Sequence, residues 1–128
     1  MLTREDVESY LLRMELEYEE VQPGLFLVGT TAGDAPLVIS YSPPVLVFRL
    51  KVMAVPAEED RCGDLFRRLL ELNATDLVHA AYGLDGTDII LTESLELENL
   101  DYNEIQATVD SFQLAVATHA EILARFRN

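Results

Sequence analysis

Pro43-Pro44-Val45-Leu46-Val47-Phe48-Arg49-Leu50-Lys51-Val52-Met53-Ala54-Val55 is the stretch from which the fold is read. Leu46, Phe48, Leu50 and Val52 alternate with Val45, Val47, Arg49 and Lys51, so one face is wholly apolar and the other becomes charged at its far end. A period of two with one apolar face marks a half-buried strand. Proline cannot donate to a ladder, so Pro43-Pro44 either separates this strand from its predecessor or kinks one longer strand. Upstream lie two further β-rich runs, Leu25 to Thr30 and Leu37 to Ser42, parted by Ala32-Gly33-Asp34. Before them the acidic run Leu16 to Val21 ends at the turn signal Pro23-Gly24. Turns this short make neighbouring strands antiparallel.

Helices flank and interrupt this meander. Near the N-terminus Thr3 and Asp6 form a weak capping box, and Val7, Tyr10, Leu11 and Met14 fall on one stripe. After the long strand, Pro56 and Glu58-Glu59-Asp60 open a second helix, with acid on its positive dipole end. Its stripe is Cys62, Leu65, Phe66, Leu69 and Leu72 or Asn73. Gly63 inside it implies a close neighbour, and Asn73 suits a left-handed stop. Thr75 to Tyr82 and Thr87 to Thr92 then read as strands about Gly83-Leu84-Asp85-Gly86. The last helix opens with Asp101 as cap, Glu104 completing a box, and a Leu100–Ile105 staple. Ile105, Val109, Phe112, Val116, His119, Leu123 and Phe126 form its heptad-like seam, widened by Leu114, Ala117 and Ile122. The expectation is an α+β fold over residues 1–128. It has an antiparallel sheet of five to six strands covered by helices, in the order α-β-β-β(-β)-α-β-β-α.

Charge narrows the function. Nine Lys and Arg face 23 Asp and Glu, a net charge of −14. Nucleic acid and anionic membrane surfaces are bound through basic patches, so neither is an expected partner. No apolar run reaches the ~18 residues of a membrane span, and Arg4-Glu5-Asp6 stands where a signal peptide would turn apolar. The single Cys62 makes no intrachain bridge. The expected location is cytoplasmic.

Catalytic patterns are missing. His79 and His119 lack metal-ligand spacing, and Cys62 has Glu58, Glu59, Asp60 and Asp64 around it, which disfavours a thiolate. Asp85-Gly86-Thr87-Asp88 fails as a calcium loop, because Thr87 and Ile89 stand where acids are needed. Neither a nucleophile elbow nor a phosphate-binding glycine loop is present. We therefore expect no enzyme, cofactor or metal. The apolar inventory points instead to a binding surface, in Val45-Leu46-Val47-Phe48 and in the terminal helix.

The second half carries a resemblance. Leu69-Leu70-Glu71-Leu72-Asn73 closes a helix; Ala80-Ala81-Tyr82-Gly83-Leu84-Asp85-Gly86 and Ile89-Ile90-Leu91 follow. Ser94-Leu95-Glu96-Leu97-Glu98-Asn99-Leu100-Asp101 then leads into the last helix. In these devices, and in element order over essentially the whole chain, the sequence resembles the Tir chaperone (CesT) fold superfamily of type III secretion chaperones and YbjN-domain proteins. The resemblance implies a homodimeric, non-enzymatic module that holds a partly unfolded protein client through apolar grooves and a sheet edge. The alternative is a YbjN-type regulator that binds a folded partner. Val45, Leu46 and Val47 are the expected client contacts. Self-association is expected through Phe112, Val116 and His119 of the last helix, or through Leu65 and Phe66 of the second.

Overall fold

The structure is a computed structural model that describes residues 1–29 and 35–127; Thr30 and the expected Ala32-Gly33-Asp34 turn lie outside these. The elements are α1 (Arg4–Arg13), β1 (Tyr18–Gln22), β2 (Leu25–Val28), β3 (Leu37–Ser42), β4 (Val45–Ala54), α2 (Glu59–Thr75), β5 (Ala81–Asp85), β6 (Asp88–Glu96) and α3 (Tyr102–Ala124). The strands form one six-stranded antiparallel sheet in the order β1-β2-β3-β4-β6-β5. Class and element order agree with the sequence. Pro43 and Pro44 form the turn that separates β3 from β4.

Local chemistry sets the helix starts. The Thr3 hydroxyl accepts from the Asp6 N–H (3.1 Å), and the Asp6 carboxylate accepts from the Thr3 N–H (2.9 Å). The expected capping box is complete, and its bonds hold the Asp6 carboxyl below the usual range. At α3 the Asp101 carboxylate accepts from the Tyr102 N–H (2.9 Å), without a return bond from Glu104. At the β1–β2 turn Gly24 has φ +80°, and a Cβ there would sit 3.3 Å from the Tyr41 Cβ. Both its backbone angle and the close neighbour call for glycine.

The core lies between one sheet face and the helices. Phe26, Ile39 and Phe48 stand in register across β2, β3 and β4, and Leu50 stands beside Leu91 of β6. Phe48 meets Phe112 of α3 at 6.2 Å between ring centroids. Val7 and Leu11 of α1 and Leu65, Leu69 and Leu72 of α2 complete the same core. The alternation of β4 breaks at a register shift between Lys51 and Met53. Met53 is consequently buried there, and Val52, expected on the apolar face, is only partly covered.

Four local expectations need correction. The segment from Thr75 to Tyr82 is no strand: α2 continues to Thr75, Asp76 caps it, and β5 begins at Ala81. His79 therefore lies in a loop, exposed, and not in mid-strand. Gly63 has nothing within 4 Å of a would-be Cβ, so no close packing explains it. Asn73 does not stop α2; its side chain turns instead to β5.

Candidate protein-binding surfaces

The β4 pleat divides the expected client contacts. Val45 and Val47 point away from the helices, whereas Leu46 points inward, is 0% exposed and belongs to the core of the single chain. Leu46 offers a partner no surface and acts there only as support. Around Val45 and Val47 the register places Ser42, Ser40, Val38, Leu25 and Leu27 on the same outer face. Val45, Val47, Val38, Leu25 and Leu27 are half-buried by one another, and no described helix covers them. Towards the far end of β4 the face becomes ionic, with Arg49 3.3 Å from Asp85 and Lys51 3.4 Å from Asp88. The apolar half is thus bounded by charge at that end, and also by Glu96 opposite Val45 on β6 and Glu19 opposite Leu27 on β1.

The two sheet edges differ. β1 carries Glu19 and Glu20 and a register shift beside Gln22. Glu20 takes two bonds from Arg4 (2.7 and 2.8 Å) and one from the Gly24 N–H (2.8 Å), which fixes α1 to the first hairpin. At β5, by contrast, Asn73 reaches across from α2. Its Oδ1 accepts from the Tyr82 N–H (2.7 Å) and its Nδ2 donates to the Tyr82 carbonyl (3.2 Å).

The expected dimer residues also divide. Leu65 and Phe112 are 0% exposed and His119 is buried, so these three fill the interior of one chain. Phe66 is half-buried beside a groove of about 200 Å³ between α2 and β5, which Leu70, Asn73, Tyr82 and Leu84 also line. Leu70 and Leu84 are 67% and 56% exposed. Val116 is half-buried and lines a second cavity, about 600 Å³, between β4 and α3. Leu114, expected to widen the α3 seam, is exposed. Leu70 and Leu84 were not singled out from the sequence. Leu70 lies one residue off the α2 stripe, and that offset is the signal that could have found it.

His119 is built into a buried relay. Its Nε2 lies 3.3 Å from the Asp76 carboxylate and its Nδ1 lies 2.6 Å from the Tyr82 hydroxyl. A carboxylate only accepts, so in the neutral imidazole Nε2 carries the proton and Nδ1 accepts from Tyr82. Burial, and then the Asp76 charge, push the Tyr82 phenol above its ordinary range. The arrangement joins α2, β5 and α3, with its phenol and imidazole withdrawn from solvent. Cys62 sits half-buried with its Sγ 3.5 Å from the Pro56 carbonyl and 3.6 Å from that of Glu58. Among the described residues no three His, Cys, Asp or Glu side chains gather as a metal site, and no helix is long and apolar enough to cross a membrane.

The molecule is thus an antiparallel sheet with helices on one face and an open apolar patch on the other. The sequence matches the CesT_Tir_1 family over residues 2–128. The chain belongs to the CesT_Tir_1 family. No curated protein sequence matches it. Among solved structures, YbjN from E. coli superposes with a TM-score of 0.69 at 11% identity, covering 94% of this chain and 93% of that one. The ExoU–SpcU heterodimer of the Pseudomonas aeruginosa type III secretion system contains a chain that matches with a TM-score of 0.66 at 13% identity. That match covers 88% of this chain and 95% of that one. The Yersinia pestis type III secretion chaperone SycH, solved with a fragment of YscM2, gives 0.64 at 14% identity, covering 91% and 98%. This CesT_Tir_1 member therefore has a type III secretion chaperone-like fold, shared with YbjN.

Proposed function

We propose that the chain is a non-enzymatic, chaperone-like binding protein that holds a partly unfolded protein client in the cytoplasm. The observation that carries this reading is the open sheet face. Val45 and Val47 lie there within an apolar patch that no described helix covers, in a chain of a chaperone family. An extended client segment would lay apolar side chains over Val45, Val47, Leu27 and Val38, and add its backbone to the β1 edge. The net charge of −14 favours neutral or basic segments and keeps the apolar face soluble. A neighbour such as the HopA1–SchA chaperone–effector complex supports a protein client.

Self-association belongs to the same reading. Phe66, with Leu70 and Leu84 exposed beside it, offers a patch that two copies would repeat about a two-fold axis. Val116 of α3 is the competing contact. Light scattering on Phe66→Asp and Val116→Asp separates the two: we expect the first to be monomeric and the second to keep the wild-type mass.

The test of function is affinity purification from the native host, with retained proteins identified by mass spectrometry. The expected result is a partner held through a segment disordered when free, and lost by a folded Val47→Asp variant. A normally folded Val47→Asp protein that keeps its client overturns the open-face assignment. A second reading, a YbjN-type regulator binding a folded partner, is favoured by the 0.69 superposition on YbjN. Retention of a folded protein alone would select it.

A further inference from the structure

We propose that Asn73 is an edge guard: its amide occupies the backbone position on β5 that an added strand would take, and leaves β1 as the sheet edge open to a partner. Asp85 and Asp88 flank the two-residue β5–β6 turn, and their pairing fixes the alternation along β5. Asp85, Gly83 and Ala81 then turn their backbone groups to β6, whereas Leu84 and Tyr82 turn theirs outward. A strand added to β5 would need the N–H and the carbonyl of Tyr82 together. The Asn73 side chain, itself a primary amide, already takes both, at 2.7 and 3.2 Å, in place of the carbonyl and N–H of an opposing antiparallel residue.

The guard is held from both sides. Asn73 lies in the last turns of α2, whose cap Asp76 faces His119, and His119 accepts from the hydroxyl of the same Tyr82. Tyr82 is therefore fixed at its backbone by α2 and at its ring by α3. Of the outward-facing residues of β5 only Leu84 remains, and one residue's pair of bonds is too little for a stable strand pairing. An unprotected edge is a template for pairing with another chain, and proteins close such edges with charge, bulges or covering groups. β1 carries the first two: Glu19 and Glu20 along it and a register shift beside Gln22. Glu20 is taken up by Arg4, and the exposed Glu19 repels a second copy while it tolerates a neutral or basic strand. β5 is closed outright. That a client strand is confined to β1 rests on the client-binding reading above; that β5 is closed does not.

Amide hydrogen exchange at Tyr82, followed by NMR over a range of protein concentrations, tests the guard. In the Phe66→Asp chain, expected above to be monomeric, the Tyr82 N–H is bonded within the molecule by Asn73, so its exchange is slow and independent of concentration. In Asn73→Ala added to Phe66→Asp we expect exchange at least about tenfold faster when dilute, and slowed again when concentrated as β5 edges pair. Exchange as slow as in Phe66→Asp alone in the dilute double variant would overturn the cap. Fast exchange at every concentration would show an edge that does not pair, and would overturn the guard. If Asn73→Ala does not fold, Asn73→Gln, whose longer arm carries the amide off the strand, is read the same way. No client enters the experiment, so its failure leaves the client-binding reading standing, and a missing client leaves the guard standing.

Discussion

Tyr82 is the residue at which most of the chain's buried polar chemistry meets. Its phenol is held above the ordinary value of 10.0, first by burial and then by the Asp76 charge. A phenol harder to ionise in the native state than in the unfolded one adds stability that is full below about pH 10. That contribution is lost as pH rises above 10 towards the native value. The urea midpoint, followed by circular dichroism, is therefore expected to hold between neutrality and about pH 9.5 and to fall above it. Tyr82→Phe should flatten that alkaline fall and cost about 1–2 kcal/mol at neutral pH, because the buried Nδ1 of His119 loses its donor. An unchanged alkaline slope in the variant would assign the fall to other groups. None of this was visible in the sequence. His119 stood on an apolar seam and looked like an interface residue, because its partners are 37 and 43 residues away.

Elements were legible where their signals were local. The β4 alternation up to Lys51, the Thr3–Asp6 box and the Pro43-Pro44 break all depend on neighbours within a few residues, and each stands in the structure. The same pleat yields a sharp contrast between adjacent residues. Leu46→Ala removes a side chain with no exposed surface and should cost about 2–5 kcal/mol in urea denaturation, whereas Val47→Ala should cost about 1 kcal/mol or less. Equal losses at the two positions would mean that the outer face is as fully packed as the inner one. Elements were misread where a distant contact decided them. Thr75 to Tyr82 has strand-like residues, yet α2 runs on through Thr75 because Asn73 and Asp76 are anchored on β5 and α3. The register shift in β4, which buries Met53, has no counterpart in the strand's own pattern. Of the candidate surfaces, Val47 and Phe66 were within reach of periodicity. The Asn73 bridge and the Leu70–Leu84 groove needed the packing of α2 on β5.

At the scale of the molecule, 23 acids against nine bases make the surface self-repelling. Raising salt from 0.1 to 1 M shortens the screening length from roughly 10 Å to roughly 3 Å. The urea midpoint should therefore rise with sodium chloride, since relief of repulsion outweighs the loss of a few exposed ion pairs. A falling midpoint would show that pairs such as Arg49–Asp85 matter more than their exposure suggests. The strand order β1-β2-β3-β4-β6-β5 has a consequence of another kind, in the kinetics of folding. The β1–β4 meander and the β5–β6 hairpin each close by short local steps, but β4 meets β6 only after α2 and β5 have been looped out between Ala54 and Asp88. The entropy of closing that loop is met before any seam contact rewards it, so the encounter of the two halves should set the rate. In stopped-flow refolding, Leu91→Ala on the seam is expected to slow folding, whereas Val28→Ala within the meander chiefly speeds unfolding. Until the seam closes, the apolar inner faces of both halves remain open to solvent; on the client-binding reading proposed above, the chain would for that interval present the same kind of surface that it holds in its client.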